Sequence, residues 1–471
     1  MPHPNAAKQG ATAISEQTLS QQPAVRGLHE TKAPRERAFL IGTELTGGRS
    51  QWSAEDSLQE LALLSDTAGL EVVGSAAQRI KQPYPKHYVG PGKIQEVAEL
   101  RAELRYDVVV FDDELTPSQS RNIEAALGAR VIDRTGLILD IFAGHARTHE
   151  GRIQVELAQY KYLLPRLRRA WTHLERQAGG GGGAGGSGGA GGVVGLRGPG
   201  ETQLELDRRM IGHRIALLER QIADVHRQRE LYRARRRESG TPIVALVGYT
   251  NAGKSTLLNA VSGAGVRAED RLFATLDPTT RQVDLPGGQQ MLLTDTVGFI
   301  QKLPTELVAA FRATLEEIKE ADLLLHVLDI THQNAAQQTQ TVLDTLAELG
   351  VGEKPVLTVL NKVDLLEGVD EREVAQLAKE LGLPDDHIAV SSYKGWGIPD
   401  LLARIEQTLA QRMDTLSAFI PYRRNDLVAM WHQRGLVDSE RFEAEGTYVE
   451  GRLPHALVAQ VAAYRVASIP E

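Results

Sequence analysis

The stretch Gly248-Tyr249-Thr250-Asn251-Ala252-Gly253-Lys254-Ser255 constrains this chain more than any other. It follows the apolar run Ile243 to Val247 and opens into Thr256-Leu257-Leu258, the strand, loop and helix context of a phosphate-binding loop. Glycines at 248 and 253 let successive backbone N–H groups turn inward on phosphate oxygens, and the helix N-terminus adds its dipole. The fold class that follows is α/β, with a P-loop domain at its centre.

Two further motifs follow in order. Asp295-Thr296-Val297-Gly298 ends the apolar strand Met291-Leu292-Leu293, and Asn361-Lys362-Val363-Asp364 ends the strand Val356 to Leu360. Lys254 places charge between the β- and γ-phosphates, Ser255 offers a hydroxyl to Mg²⁺, Asp295 holds that ion through water, and Gly298 has an N–H for the γ-phosphate. Asp364 accepts both N1–H and N2–H of guanine, a pattern adenine lacks, so GTP and GDP are the expected ligands. Asn361 supports the base from its O6 side and the loop backbone, the Lys362 stem covers its ring, and Val363 lies between them. Ser391-Ser392-Tyr393, after Ile388-Ala389-Val390, fits the last loop that brackets guanine. The first switch must lie within Phe273-Ala274-Thr275-Leu276-Asp277-Pro278-Thr279-Thr280-Arg281. Thr275, ahead of the Pro278 turn, is assigned to Mg²⁺, and Thr279 and Thr280 are read as turn residues. Lys254, Thr275 and Gly298 form the expected catalytic set.

Ras-like proteins carry a water-orienting glutamine directly after the glycine equivalent to Gly298. Here that position is Phe299. An aromatic ring cannot orient water by hydrogen bonding, so turnover should be slow until another group or a partner completes the site. Asn251 matches a position that several translation-related GTPases use to bind a monovalent cation such as K⁺, and it equally fits a role in stabilising the loop turn.

At 471 residues the chain has room for about three domains at roughly 150 residues each. Zero cysteines exclude disulfides, thiolate zinc sites and cysteine nucleophiles. No apolar run approaches the ~20 residues of a membrane span, and Met1 to Arg37, rich in Ala, Gln, Ser and Pro, lacks a signal peptide's apolar core. A cytoplasmic protein is expected. Its segments read as a disordered tail (1–37), a small amino-terminal α/β domain (38–149), a helical hairpin (150–240), the nucleotide domain (241–412) and a small carboxy-terminal α+β domain (413–471). In the second of these, Ala38 to Ile41, Asp107 to Phe111 and Ala129 to Ile132 read as strands, and Ser53 to Asp66 and Lys93 to Leu104 as helices. Asp112-Asp113-Glu114 reads as a solvated loop in preference to a metal site.

The net charge of −8 hides a basic segment, because residues 151–240 hold 17 Lys plus Arg against 9 Asp plus Glu. Arg166, Arg168, Arg169, Arg197, Arg235 and Arg236 are candidate RNA contacts, against the blander reading of a solvated helical face. Leu204, Ile211, Ile215, Leu218 and Ile222 recur at helical steps, as a long antiparallel hairpin seam requires. Residues 179–192 contain only Gly, Ala and Ser, so the tip at 179–200 has no apolar area to bury against the entropy of order. Arg197 reads equally as a phosphate contact or as part of the turn into the second helix.

These motifs, with Tyr88-Val89-Gly90-Pro91-Gly92-Lys93, Asp133-Arg134-Thr135-Gly136-Leu137, Arg147-Thr148-His149-Glu150-Gly151, Gln154-Val155-Glu156-Leu157, Gly198-Pro199-Gly200-Glu201-Thr202-Gln203 and Asp295 to Ile300, resemble the HflX family of the Obg-HflX GTPase superfamily. The resemblance covers nearly all of the chain after residue 37. It implies association with the large (50S) ribosomal subunit and its rRNA, splitting of stalled or idle 70S ribosomes notably after heat stress, and insertion of the hairpin tip toward the peptidyl-transferase centre. It also implies a carboxy-terminal domain near the stalk base. ATP binding by the amino-terminal domain, reported for the family, would fall on Gly90-Pro91-Gly92-Lys93, which also reads as a tight turn before a helix. The long pure-glycine tract departs from the shorter tip of many relatives. The alternative of a different class is a GTP-gated RNA-binding switch or large-subunit assembly factor.

Overall fold

A computed structural model of the chain describes residues 35–46, 52–167, 199–263, 272–302, 317–366, 368, 371–383 and 386–466. The glycine tract, Arg168, Arg169, Arg197 and almost all of the expected amino-terminal tail lie outside the described residues.

The amino-terminal sheet contains β1 (Arg37–Leu45), β2 (Glu71–Ile80), β3 (Val108–Phe111) and β4 (Arg130–Asp133), all parallel in the order β2-β1-β3-β4. Its crossovers are α1 (Ala54–Thr67), α2 (Pro91–Leu104) and α3 (Pro117–Leu127). Local chemistry starts each helix: Ser53 accepts from the Asp56 N–H, Gly90 precedes Pro91 at the head of α2, and Thr116 with Gln119 forms a reciprocal capping box. The fully buried β3, Val-Val-Val-Phe, was plain in the sequence. The edge strand β2 was not, because its Gly-Ser-Ala-Ala-Gln-Arg stretch is largely solvent-facing and carries little apolar alternation. A fourth helix, α4 (Arg134–His145), begins at Asp133, whose carboxylate accepts from the Gly136 N–H at 2.9 Å, and is buried over most of its length.

Next, α5 (His149–Arg166) lies antiparallel to the long α6 (Pro199–Ser239). Ile153, Leu157 and Leu218 form their buried seam, with Ile215 and Ile222 beside it. The pair is cross-linked by Glu156–Arg214 (2.7 Å), Lys161–Glu219 (2.8 Å) and Glu150–Arg229 (2.7 Å).

The central sheet runs β10-β9-β8-β5-β7-β6. Its strands are β5 (Ile243–Gly248), β6 (Thr279–Asp284), β7 (Gln290–Asp295), β8 (Leu323–Asp329), β9 (Val356–Asn361) and β10 (His387–Ala389), with only β6 antiparallel. It is flanked by α7 (Lys254–Ser262), α8 (Ala335–Glu348), α9 (Glu371–Glu380) and α10 (Ile398–Ala410). The remaining antiparallel sheet, β12-β13-β11-β14, is built from β11 (Asp414–Pro421), β12 (Leu436–Phe442), β13 (Gly446–Leu453) and β14 (Arg465–Val466). It packs with α11 (Asn425–Arg434) and α12 (His455–Val461) around Trp431.

One face of the central sheet has its own core, including Leu246, Leu257 and Leu325. The other shares a continuous core with the amino-terminal domain, in which Leu58, Phe142, Tyr249, Phe273 and Phe299 all take part. No helix among the described residues is long and apolar enough to cross a membrane.

Candidate functional site

Strand β5 delivers the phosphate loop and α7 leaves it. Gly253 has φ +95°, and a Cβ there would stand 2.3 Å from Asn361 Nδ2, so both backbone conformation and space demand glycine. Asn251 adopts φ +60° and is exposed at the loop rim. The buried Lys254 ammonium donates to the carbonyls of Gly248 (3.1 Å) and Tyr249 (2.8 Å). Burial pushes it down to about 8, against the pull of Asp295. Such a cation gains strongly from phosphate charge.

Beside it, Ser255 Oγ donates to Asp295 Oδ2 at 2.6 Å and shares a 2.7 Å hydrogen bond with Thr275 Oγ1. The structure thus brings together the three predicted Mg²⁺ residues, and Thr275 takes the place in preference to Thr279 and Thr280, which enter β6. Asp295 is 1% exposed, burial raises its carboxyl, and its Oδ1 is buried without a hydrogen-bond partner. Thr296 Oγ1 donates to the Leu246 carbonyl at 2.6 Å and so locks the segment that follows β7, Thr296 to Lys302, here the second switch, to β5.

At the base side, Asn361 acts as a brace. Its Nδ2 donates to the Ala252 carbonyl at 2.8 Å, while its Oδ1 accepts from Ser392 N (3.0 Å) and Ser392 Oγ (2.8 Å). Phosphate loop and guanine loop are thereby joined through one side chain. Asp364 Oδ1 accepts from Ser391 Oγ at 2.6 Å, and Lys362, at φ +66°, pairs with Asp329 at 2.8 Å. Val363 starts a short 3₁₀ turn, and Tyr393 is 79% exposed at the outer rim.

The first-switch residues are divided between the phosphate chamber and the amino-terminal domain. Phe273 and Ala274 line the phosphate chamber with Thr250, Asn251, Thr275 and Gly298. Leu276 is buried in the core shared with the amino-terminal domain. Asp277, grouped with the nucleotide residues on sequence position, instead accepts from the backbone N–H of Arg147 (2.9 Å) and Thr148 (2.8 Å) and from the Thr148 hydroxyl. Thr148 is the N-cap of α5, so a first-switch carboxylate sits on the N-terminus of that helix, where negative charge is favoured.

The second switch is tied in parallel. Tyr249 OH donates to Glu60 and accepts from the Gln301 N–H at 2.8 Å. Glu60 and Asp112 (2.6 Å) flank the buried Arg134, and Asp112 also holds Lys302, which reaches Asp113 at 2.7 Å. Burial opposes the Arg134 charge, yet Glu60 and Asp112 hold the guanidinium above its ordinary value. Burial likewise works against the Asp112 carboxylate, but Arg134 and Lys302 keep it below the usual range. The acidic run read as a solvated loop is therefore, at Asp112, a buried ion-pair hub. Sequence reasoning missed Glu60, Arg134 and Lys302 as a unit, although Arg134 stands in a quoted motif.

Of the candidate RNA contacts, Arg166 is engaged internally. It stacks over Tyr162 at 3.4 Å and bonds Asp133 (2.8 Å) and the Leu115 carbonyl (3.0 Å). Arg235 and Arg236 fall within α6.

The described geometry joins a phosphate loop, the Ser255–Thr275–Asp295 cluster and the Asp364 carboxylate to an amino-terminal domain that holds both switches. Family profiles described as "GTP-binding GTPase N-terminal", "GTP-binding GTPase Middle Region" and "50S ribosome-binding GTPase" match residues 55–143, 145–236 and 243–362. "GTPase HflX" of Escherichia coli (strain K12) is 43% identical, over 89% of this chain and 94% of the relative. This chain belongs to the HflX family of GTPases. Other HflX relatives include that of Magnetococcus marinus, 46% identical over 87% of this chain and 90% of its own length. Among solved structures, a GTP-binding protein from Sulfolobus solfataricus in complex with GDP is 25% identical, covers 80% of this chain and 99% of its own, and has a TM-score of 0.41. As an HflX GTPase, the chain binds guanine nucleotide and hydrolyses GTP.

Proposed function

We propose that this HflX GTPase is a ribosome-splitting or rescue factor of the cytoplasm, acting under stress. It would bind the 50S subunit in its GTP state and hydrolyse GTP when that subunit completes the site. The observation that carries this reading is the double tether of the switches. Asp277 of the first switch holds Thr148, the N-cap of α5, and Lys302 of the second enters the Asp112–Arg134–Glu60 cluster. Whatever moves the switches on hydrolysis must also act on the base of the helical pair. With the chain divided at 38–149, 150–240, 241–412 and 413–471, the hairpin would be the arm that meets rRNA, through Arg168, Arg169, Arg197, Arg235 and Arg236.

Mg²⁺ fits the site. The unpartnered, buried Asp295 Oδ1 with the Ser255 and Thr275 hydroxyls is an all-oxygen donor set of the kind that ion takes. When bound, Mg²⁺ supplies charge that stabilises the phosphates. Lys254 orients those phosphates, and Gly298 offers its N–H to the γ-phosphate. Asn251, exposed at the chamber rim, is available to K⁺. A second nucleotide, ATP, has little support at Gly90-Pro91-Gly92-Lys93. There Gly90 N donates to Gln78 Oε1, Pro91 starts α2, Lys93 pairs with Glu96, and a Cβ on Gly92 would meet nothing.

The test is light scattering from 70S ribosomes mixed with the protein and GTP. Scattering should fall as subunits separate, and should not fall with Lys254→Ala. Unchanged scattering alongside retained 50S binding would overturn splitting in favour of a large-subunit assembly factor.

A further inference from the structure

The hydrolytic half of the site lacks an obvious side chain for the attacking water. Phe299 holds the position after Gly298, and its ring, 3% exposed, is packed into the core shared with the amino-terminal domain. Most other chamber side chains already have tasks. Lys254 serves the phosphates, Ser255 and Thr275 join Asp295 at the metal position, and Thr296 is spent on the Leu246 carbonyl.

Thr250 is different. It lines the phosphate chamber, is 6% exposed, and its Oγ1 is buried with no hydrogen-bond partner. A buried hydroxyl left unpaired costs about 1–3 kcal/mol, so such a group is expected to have a ligand. It is also rigidly placed. Thr250 N donates to the Phe299 carbonyl at 2.8 Å and Phe299 N donates to the Gly248 carbonyl at 3.0 Å, so phosphate loop and second switch are stitched together at this residue. A Cβ added to Gly298 would lie 2.8 Å from Thr250 Cα and 2.9 Å from both its Cγ2 and Lys254 Nζ. Thr250 therefore borders Gly298, the glycine whose N–H is expected to serve the γ-phosphate.

We infer that Thr250 is a catalytic residue of this GTPase, its hydroxyl positioning the attacking water where a glutamine does so in Ras-like proteins. Oγ1 accepts a hydrogen bond from the water and donates one to a γ-phosphate oxygen, for which a hydroxyl has both capacities. The water oxygen bonds to the γ-phosphorus. The bond from that phosphorus to the β–γ bridging oxygen breaks, its electron pair leaving on GDP, and the water proton passes to a γ-phosphate oxygen. Thr250 ends unchanged, as a positioning hydroxyl and not a base. The inference rests on GTP binding at this site, so the experiment measures binding separately.

The full-length protein is compared with Thr250→Val, Thr250→Ala and Thr250→Ser. Three quantities are read: single-turnover GTP hydrolysis, affinity for a fluorescent GTP analogue, and affinity for GDP with aluminium fluoride. Val and Ala should slow hydrolysis by about a hundredfold, with GTP-analogue affinity within about twofold and aluminium fluoride binding falling in step with rate. Ser should recover most of the rate. Unchanged hydrolysis in both Val and Ala would overturn the role. So would a rate loss matched by lost GTP affinity, which marks a ground-state phosphate ligand. A Ser variant as slow as Val would overturn it too, by assigning the effect to methyl packing against Gly298. Should Val fail to bind GDP, Ala decides the comparison, since it removes the hydroxyl without adding bulk.

Discussion

Asp364 is held for its task by Ser391, whose hydroxyl occupies Oδ1 at 2.6 Å. Removing the carboxylate in Asp364→Ala should weaken GDP binding by about 2–3 kcal/mol, close to a hundredfold, while leaving the poor ATP affinity unchanged. Competition against a fluorescent GDP analogue measures both. Lys254 makes a pH prediction. Burial holds its ammonium near 8, and phosphate charge raises it, so binding takes up a proton once the free protein has lost it. Affinity should be flat below about pH 8 and then fall by as much as about tenfold per pH unit. Calorimetry in buffers of different ionisation enthalpy would register the proton uptake, and its absence would contradict the argument. These residues were legible in the sequence because each motif is a contiguous run whose backbone does the binding. Asn361 was only half legible: its motif position was clear, but its use as a brace between Ala252 and Ser392 depends on three separate loops. Arg166 misled because counting basic residues along a segment says nothing of the inward pull of Asp133.

At the scale of elements, the joint between β6's approach and α5 is the informative one. Thr148 caps α5 by accepting from the Gly151 N–H at 2.9 Å, and Asp277 fixes Thr148 from the other side. Asp277→Ala should cost about 1 kcal/mol of stability, as losing the hydrogen bonds that hold the N-cap residue would. It should also raise hydrogen exchange at the amides of Arg147 and Thr148. In the unaltered protein those amides should be better protected with a GTP analogue than with GDP, and the difference should vanish in the variant. Equal protection in both nucleotide states from the start would break the proposed link. Contacts of this kind were invisible in the sequence because Asp277 and Thr148 lie 129 residues apart. Helix caps within one segment, such as Thr116 with Gln119, leave a local signature, whereas a brace on the cap residue from a distant loop leaves none. The edge strand β2 was missed for a related reason, since its place is set by pairing with β1 and not by its own apolar pattern.

For the molecule as a whole, the amino-terminal domain and the nucleotide domain behave as one core with an ionic lock across it. Trp52 stacks on Tyr249 at 6.0 Å and Phe142 meets Phe273 edge-on at 4.6 Å, while Lys302 crosses to Asp112. Lys302→Met should lower the unfolding free energy by about 1–3 kcal/mol in urea titrations, a moderate loss because Asp112 keeps Arg134. A change near zero would make the lock idle. On the proposed function, the large subunit acts through these couplings to bring the switches and the Thr250 hydroxyl into the hydrolytic arrangement. GTP hydrolysis by the purified protein alone, with 30S subunits and with 50S subunits, using Lys254→Ala as the blank, decides whether this is so. Stimulation of about tenfold or more by 50S alone is expected, a barrier change of roughly 1.4 kcal/mol at the least. No stimulation, or equal stimulation by 30S subunits, would contradict it.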